Sequence, residues 1–139
     1  TLILNVKEEG LEEALIDLMV TKGIKNFFFL DQSFPFLIKT ANSGEKRCAV
    51  RISEFESIDT VMTLAGKVNW VWVDCFTKFP LSQADSVRLQ QEGKFKLCLV
   101  SPELQGRKEI NKVKEFRNKI YSQGIKGEAV CTKYPDLWA

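Results

Sequence analysis

The sequence predicts an α/β domain in which about six parallel strands alternate with helices. Six short apolar runs are rich in Val, Leu, Phe and Trp without alternation, which is typical of strands buried on both faces. The starts of successive runs lie 21 to 34 residues apart, which is enough chain for a strand, a loop and a helix. Nearly every run also ends in polar residues, so that an apolar strand is followed each time by a charged or hydrogen-bonding tip.

The first predicted strand is an apolar run with an amide and a cation at its end, followed at once by two glutamates. The later runs repeat this pattern to the end of the chain. The predicted strands are Leu2–Lys7, Asn26–Leu30, Arg47–Ile52, Trp70–Phe76, Phe95–Val100 and Ala129–Thr132.

The segments between the strands read as helices because their apolar residues recur at helical spacing and glycines follow them. Ser82 is a candidate amino-terminal cap for the fourth helix. In the last helix, lysines and arginines cover the face opposite the apolar stripe, and mixed glutamates make a solvated face the preferred interpretation. The predicted helices span residues 11–19, 35–38, 56–64, 82–91 and 110–121.

Composition limits the possible functions. The chain has 139 residues, enough for one domain over residues 1–139 with a core of its own. Its net charge of +2 comes from 20 basic and 18 acidic residues that are interspersed, so we expect no nucleic-acid partner. No apolar run reaches the roughly 20 residues that span a bilayer. The amino-terminal residues lack a secretory signal pattern, and we expect a cytoplasmic protein.

The four cysteines each lie in an apolar run, and no pair has the C-x-x-C spacing. Reduced thiols in the core are the preferred interpretation, with a zinc site or a disulfide framework as the alternative. The sequence contains no histidine, which removes the commonest general acid or base. These cysteines are Cys48, Cys75, Cys98 and Cys131.

Two architectures produce repeated strand–helix units. A doubly wound sheet usually binds a nucleotide through a glycine-rich first turn, and neither G-x-G-x-x-G nor a P-loop is present. A (β/α)8 barrel instead presents functional groups at the carboxyl ends of many strands, as the polar tips here suggest. A barrel needs eight strands and at least about 200 residues, so we predict a partial TIM-type barrel whose N-terminal strands are missing and lie before Thr1.

Several segments resemble the carboxyl-terminal three-quarters of a glycerophosphodiester phosphodiesterase barrel, in the superfamily shared with phosphatidylinositol-specific phospholipase C. Leu2–Lys7 resembles that family's L-N-I-E-L-K strand, and Asp31–Pro35 resembles its S-F strand end. Val73 and Asp74 fit a later strand end, and the segment 96–106 resembles the penultimate strand of bacterial members. The most specific likeness is Gly127–Asp136, which is similar to the closing D-G-I-x-T-D-Y-P-D.

The resemblance implies a metal-dependent phosphoric diester hydrolase with histidine acid/base chemistry and a divalent cation, Mg²⁺ or Ca²⁺. This sequence departs from the family in having no histidine, so we expect the chain alone to be inactive. Asn5 stands where the family has a metal-binding glutamate, and it is a poorer ligand because it carries no charge. Lys133 replaces the Asp of T-D-Y-P. Lys7 matches a family phosphate contact.

Six strand-end residues are candidates for the site, each with a structural alternative. Lys7 and Arg51 are predicted to bind phosphate; the alternatives are a surface lysine and an internal ion pair of a buried Arg51 with Asp31 or Glu54. Asp31 and Asp74 are predicted metal-site or mouth residues, or else amino-terminal caps of the following helices.

Asn5 and Glu103 complete the predicted mouth. Asn5 is either a weakened metal ligand or a hydrogen-bonding residue, and Glu103 either reaches the mouth or starts a loop. Trp72 shares side-chain parity with Asp74 and should face the same side of the sheet. Trp70, Trp72 and Trp138 are expected in the core, with a substrate platform as the alternative.

Three functions remain open. The first is the phosphodiesterase that the resemblance implies, and the second is a degenerate barrel that binds a phosphorylated small molecule without turnover. The third is a structural fragment, because unclosed parallel strands leave two edges. If the chain is complete, these edges predict a homo-oligomer.

Overall fold

The computed structural model describes residues 1–139 and contains six parallel strands in consecutive order. The strands are β1 (Leu2–Asn5), β2 (Phe27–Leu30), β3 (Ala49–Ile52), β4 (Trp70–Val73), β5 (Lys96–Val100) and β6 (Ala129–Cys131). β1 pairs with β2, and β3 through β6 form a four-stranded sheet. A parallel bridge between Phe29 and Cys48 joins the two sheets, so that spatial order follows chain order throughout.

Each connection between neighbouring strands contains a helix or a helical turn. The α-helices are α1 (Glu12–Thr21), α2 (Phe34–Asn42), α3 (Ile58–Met62), α4 (Gln83–Val87) and α5 (Ile110–Ser122). A π-helical turn, Arg88–Glu92, extends α4. Short 3-10 turns follow β5 and β6, at Pro102–Gln105 and Pro135–Leu137.

The two faces of the strands bury different side chains. One face, which we call the helix side, joins the larger core of 23 buried residues, among them Met19, Leu37, Val61 and Val113 from four α-helices and Leu89 from the π-helical turn that extends α4. The other, the inner face, carries a separate cluster of seven buried residues that come only from strands. Phe28 and Trp70 stack there with ring centroids 4.6 Å apart. All five α-helices therefore cover one side of the strands.

The structure confirms the α/β class, the parallel strands and all six predicted strand positions. The predicted strands ran too far at their carboxyl ends, because the polar tips leave the sheet: Lys7, residues 74–76 and Thr132 lie in loops. The third strand was predicted too early, since Arg47 lies before β3. Predicted helix 35–38 extends to Asn42, and predicted helix 56–64 shortens to Ile58–Met62. Neither 3-10 turn was predicted.

Local signals account for several helix ends. Ser82 caps α4 as predicted, with a reciprocal capping box in which Asp85 accepts from the Ser82 amide. Ser57 caps α3 by accepting from two backbone amides of the first turn. The tryptophans Trp70, Trp72 and Trp138 are buried, as expected. None of the helices is long and apolar enough to cross a bilayer.

Candidate functional site at the carboxyl ends of the strands

Two adjoining cavities open at the carboxyl ends of the strands. The outer cavity, about 820 Å³, lies between the ends of β2 and β3 and the loops that lead into α2 and α3. The inner cavity, about 450 Å³, lies on the inner face and is bordered by strand or loop residues from β1 to β6. Leu30, Asp31 and Arg51 border both cavities. These three residues therefore form the boundary between them.

The first candidate cation lies in the outer cavity and is held by an acidic partner. Lys7 follows β1, and its Nζ forms an ion pair with Asp31 Oδ2 at the end of β2. The Lys7 side chain remains 71% exposed and the Asp31 side chain 27%. Asp31 does not cap α2, whose cap position is Ser33, so the capping alternative is wrong. Asp31 also adopts a φ of 59°, a left-handed conformation in which Asp and Asn are enriched.

The second candidate cation, Arg51, is 44% exposed at its side chain rather than buried. The sequence placed it within an apolar run, but it lies on the inner face at the open end of β3. Its Nε donates to Glu56 Oε1 at 2.8 Å, and Ser53 Oγ donates to Glu56 Oε2 at 2.5 Å. The expected pairs with Asp31 or Glu54 are thus wrong. The hydrogen bond to Glu56 raises the pKa of Arg51, and the negative charges of Asp31 and Asp74 add to this.

The inner cavity collects Asn5, Asp74 and Trp72, as the parity of Trp72 and Asp74 predicted. Asp74 is 4% exposed, and its Oδ1 accepts from the Cys75 amide at 2.9 Å and from Gln105 Nε2 at 2.7 Å. Two donors therefore bind one oxygen of this buried carboxylate. Asp74 is not a helix cap, because the cap of α4 is Ser82. Asn5 is exposed at the end of β1.

Two polar atoms beside the outer cavity lack a partner in the protein. Gln32 uses its amide nitrogen for Glu12 and Thr40, at 2.9 and 3.0 Å, but its Oε1 is buried without a donor. Ser33 Oγ is likewise buried and unpaired, although Ser33 occupies the cap position of α2. Buried polar groups are normally hydrogen-bonded, so these two atoms are exceptions beside the cavity.

Glu103 does not face either cavity. It is 2% exposed and joins the ends of β5 and β6 by accepting hydrogen bonds from Ser101 Oγ, from Thr132 Oγ1 at 2.6 Å and from the Lys133 amide at 2.8 Å. Burial by itself raises the pKa of Glu103, but these donors outweigh it and hold the pKa below its ordinary value. Trp138 Nε1 donates to the same Ser101 hydroxyl at 3.1 Å. Glu103 thus ties the last two strands together.

Glu54 makes a comparable tie between the loops that follow β3 and β4. Its carboxylate accepts from Thr77 Oγ1 at 2.6 Å, from the Lys78 amide at 3.0 Å and from the Phe76 amide at 3.2 Å. Burial acts to raise the pKa of Glu54, and the hydrogen bonds overcome this and lower it to about 2. The carboxylate therefore stays ionised and fixes both loops beside the cavities.

The residues of the site do not fit a divalent cation by themselves. Among the described residues 1–139, no group of three or more His, Cys, Asp or Glu side chains is placed to hold a metal ion. Asp31 is already paired with Lys7, both oxygens of Glu103 accept from protein donors, and Asp74 accepts two hydrogen bonds at Oδ1. The four cysteines are unbridged; three are buried and Cys131 is partly exposed. Burial raises the pKa of Cys48 and of Cys98 to about 12, so these thiols stay neutral.

Comparison with known proteins assigns no family. A scan against protein-family models finds no match for the chain, and searches of curated proteins and of solved structures find none either. The geometry of the site therefore has to support any functional conclusion.

The structure brings together five of the six predicted residues: Lys7, Asn5, Asp31, Arg51 and Asp74 border one or both cavities. Glu103 lies apart from them. Sequence reasoning missed Glu56, Gln32, Ser33 and Gln105, which contact or border the same space. The pairing of Glu56 with Arg51 could have been predicted, since Glu56 lies only five residues beyond Arg51 in a loop. Gln105 had none, because its contact with Asp74 spans 31 residues.

Proposed function

We propose that this chain is the phosphate-binding part of a phosphoric diester hydrolase of the glycerophosphodiester type. The observation that carries the proposal is that Lys7 and Arg51 border one cavity of small-molecule size at the carboxyl ends of parallel strands. Consecutive strand order with every α-helix on one side also agrees with an arc of a (β/α)8 barrel, and we assign the six strands to such an arc.

The two cations are available to an anionic ligand. Each is held by a single carboxylate in a pair that is open to solvent, and such pairs contribute about 0–1 kcal/mol. A phosphate monoester offers three terminal oxygens and up to two negative charges, and a phosphodiester offers two terminal oxygens and one charge, so either can replace Asp31 or Glu56 as the partner. Arg51 matches two phosphate oxygens with its planar guanidinium, and Lys7 acts as a point charge.

Neighbouring donors strengthen this assignment. The Ser33 hydroxyl is unpaired, and it precedes α2, whose first-turn backbone amides have no partner within the helix. The positive end of the α2 dipole lies at this same first turn. A phosphate group beside Lys7 and Arg51 thus finds further donors at the start of α2.

Binding by this chain does not require turnover. The resemblance implies histidine acid/base chemistry and a divalent cation, but the sequence has no histidine and the site residues form no metal group. We therefore propose that the 139 residues alone bind phosphate esters without hydrolysing them. The neutral Asn5 in place of an acid favours the second candidate, a degenerate barrel that binds a phosphorylated small molecule only.

Calorimetry with glycerol 3-phosphate and glycerophosphocholine tests the binding. Lys7→Ala and Arg51→Ala should each weaken binding about tenfold or more, because each removes a charge-assisted hydrogen bond worth roughly 1.5–3 kcal/mol. Lys25→Ala, an exposed lysine before β2, is the matched control and should bind as wild type does. Absence of binding, or equal binding by all four proteins, would show that the proposal is wrong.

A chromogenic phosphodiester with Mg²⁺ or Ca²⁺ tests catalysis. No turnover is expected from the chain alone, and turnover that Lys7→Ala abolishes would contradict this. Titration with Ca²⁺ separates the two candidates, since tight Ca²⁺ binding in the absence of phosphate would count against a binding-only barrel.

A further inference from the structure

Three phenylalanines are exposed, and all three lie around the cavities. The chain has ten phenylalanines, and the three most exposed are Phe34 at 50%, Phe55 at 77% and Phe76 at 36%. They follow β2, β3 and β4 in turn at the same end of the sheet, Phe34 as the first residue of α2 and Phe55 and Phe76 in loops. We call these residues the aromatic rim.

The rim is continuous with the cations of the proposed phosphate site. Phe34 and Phe55 border the outer cavity together with Lys7 and Arg51, and Phe76 borders the inner cavity. The rings of Phe55 and Phe76 lie 6.0 Å apart, centroid to centroid. One opening therefore presents apolar rings and positive charges within the same space.

Polar contacts fix the rim in place although its rings are not buried. The Phe55 amide donates to Ser53 Oγ at 3.1 Å, and the Phe76 amide donates to Glu54 Oε2 at 3.2 Å. Glu54 also binds the Thr77 hydroxyl and the Lys78 amide, so it holds both loops at once. An exposed phenylalanine ring lacks the roughly 1.5–3 kcal/mol of stabilisation that its full burial would contribute. A preformed apolar surface of this kind is what an apolar ligand group requires.

We infer that the phosphate ester that the site takes carries an alkyl chain: its phosphate lies on Lys7 and Arg51, and a single alkyl chain packs on the aromatic rim. This inference rests on the proposed function and names its substrate class. Charge complementarity and the shape of the site select such a ligand: the outer cavity of about 820 Å³ is concave and within the size range of small-molecule sites.

Calorimetry with methyl, butyl and octyl phosphate, each kept below its micelle concentration, tests the inference. Affinity should rise about two- to fourfold for every CH2 that the rim covers. Phe55→Ala and Phe76→Ala should each weaken octyl phosphate binding about fivefold and leave methyl phosphate binding unchanged. Val20→Ala, which removes a 72% exposed apolar residue on α1, is the matched control and should change neither.

The outcomes separate this inference from the proposed function. If methyl and octyl phosphate bind equally and Lys7→Ala weakens both, the phosphate site stands and the apolar subsite is wrong. If no phosphate ester binds, both the proposed function and this inference are wrong. Binding to phosphatidylcholine vesicles without any dependence on chain length would make the rim a membrane contact and overturn the inference. Self-association that Phe55→Ala abolishes, again without chain-length dependence, would assign the rim to a second copy of the chain and overturn it also.

Discussion

Replacing Glu103 by alanine should destabilise the protein severely. The substitution leaves three donors without their acceptor: the Ser101 hydroxyl, the Thr132 hydroxyl and the Lys133 amide. Ser101 is fully buried, so its hydroxyl cannot turn to water. Thr132 and Lys133 are partly or fully exposed and can recover some hydration.

The expected cost follows from these exposures. One buried unsatisfied hydroxyl costs about 1–3 kcal/mol, and each of the two wetter hydrogen bonds contributes about 0.5–1.5 kcal/mol. Their sum is roughly 2–6 kcal/mol, a large part of the 5–15 kcal/mol that is typical of a folded domain. Glu103→Gln keeps the shape and one acceptor oxygen, so about half of the loss is expected.

Urea unfolding followed by tryptophan fluorescence measures the effect. With a slope of about 2 kcal/mol per molar urea, a loss of 4 kcal/mol moves the midpoint down by about 2 M. Glu115→Ala, on the exposed face of α5, is the control and should stay within about 0.5 kcal/mol of wild type. A Glu103→Ala midpoint that equals the control would refute the role of Glu103 as the tie between β5 and β6.

Three further predictions concern pH, backbone conformation and packing. The Glu54 pKa of about 2 lies below the ordinary glutamate value near 4.3. The ionised carboxylate therefore contributes its full stabilisation above about pH 4.3, and this contribution is lost as the pH falls toward 2. The difference in unfolding free energy between wild type and Glu54→Gln should stay constant between pH 5 and 7 and should shrink between about pH 4.3 and 2. The free energy of unfolding of Asp31→Ala should be about 1 kcal/mol lower than that of Asp31→Asn, because alanine tolerates a φ of 59° less well than asparagine does. Equal urea midpoints for the two variants would contradict this. Gly127→Ala should cost about 1–3 kcal/mol in a thermal melt, since the new Cβ lies 2.8 Å from Leu99 Cγ and 2.9 Å from the Leu97 carbonyl oxygen; an unchanged melting temperature would argue against this close approach.

The site was predictable as a place but not as a set of contacts. Polar residues after parallel strands meet at one edge, so Lys7, Asp31, Arg51 and Asp74 could be grouped from the sequence. Their partners could not be predicted. The apolar run around Arg51 suggested that this side chain is buried, whereas the end of β3 is open to solvent and Glu56 forms an ion pair with Arg51 there. A carboxylate after a strand can equally line a cavity or tie two strands.

Glu103 illustrates that second outcome. Its neighbour Pro102 marks the end of β5, but only the approach of the β6 loop, about 30 residues later, supplies the two donors that draw the carboxylate inward. The exposure of the aromatic rim could not be predicted from the sequence either, because Phe28 and Phe55 are the same residue type and differ only in their surroundings.

The sequence by itself determined the order and spacing of the strands and helices, because apolar periodicity, glycine stops and serine caps act over a few neighbouring residues. It also placed Trp72 and Asp74 on one face through the two-residue period of a strand. Only the tertiary structure decided which charges pair, which carboxylates become ties and which rings stay in water. Those outcomes depend on contacts within a few ångströms between loops that are far apart in the chain, as Glu54 and Thr77 show with a sequence separation of 23.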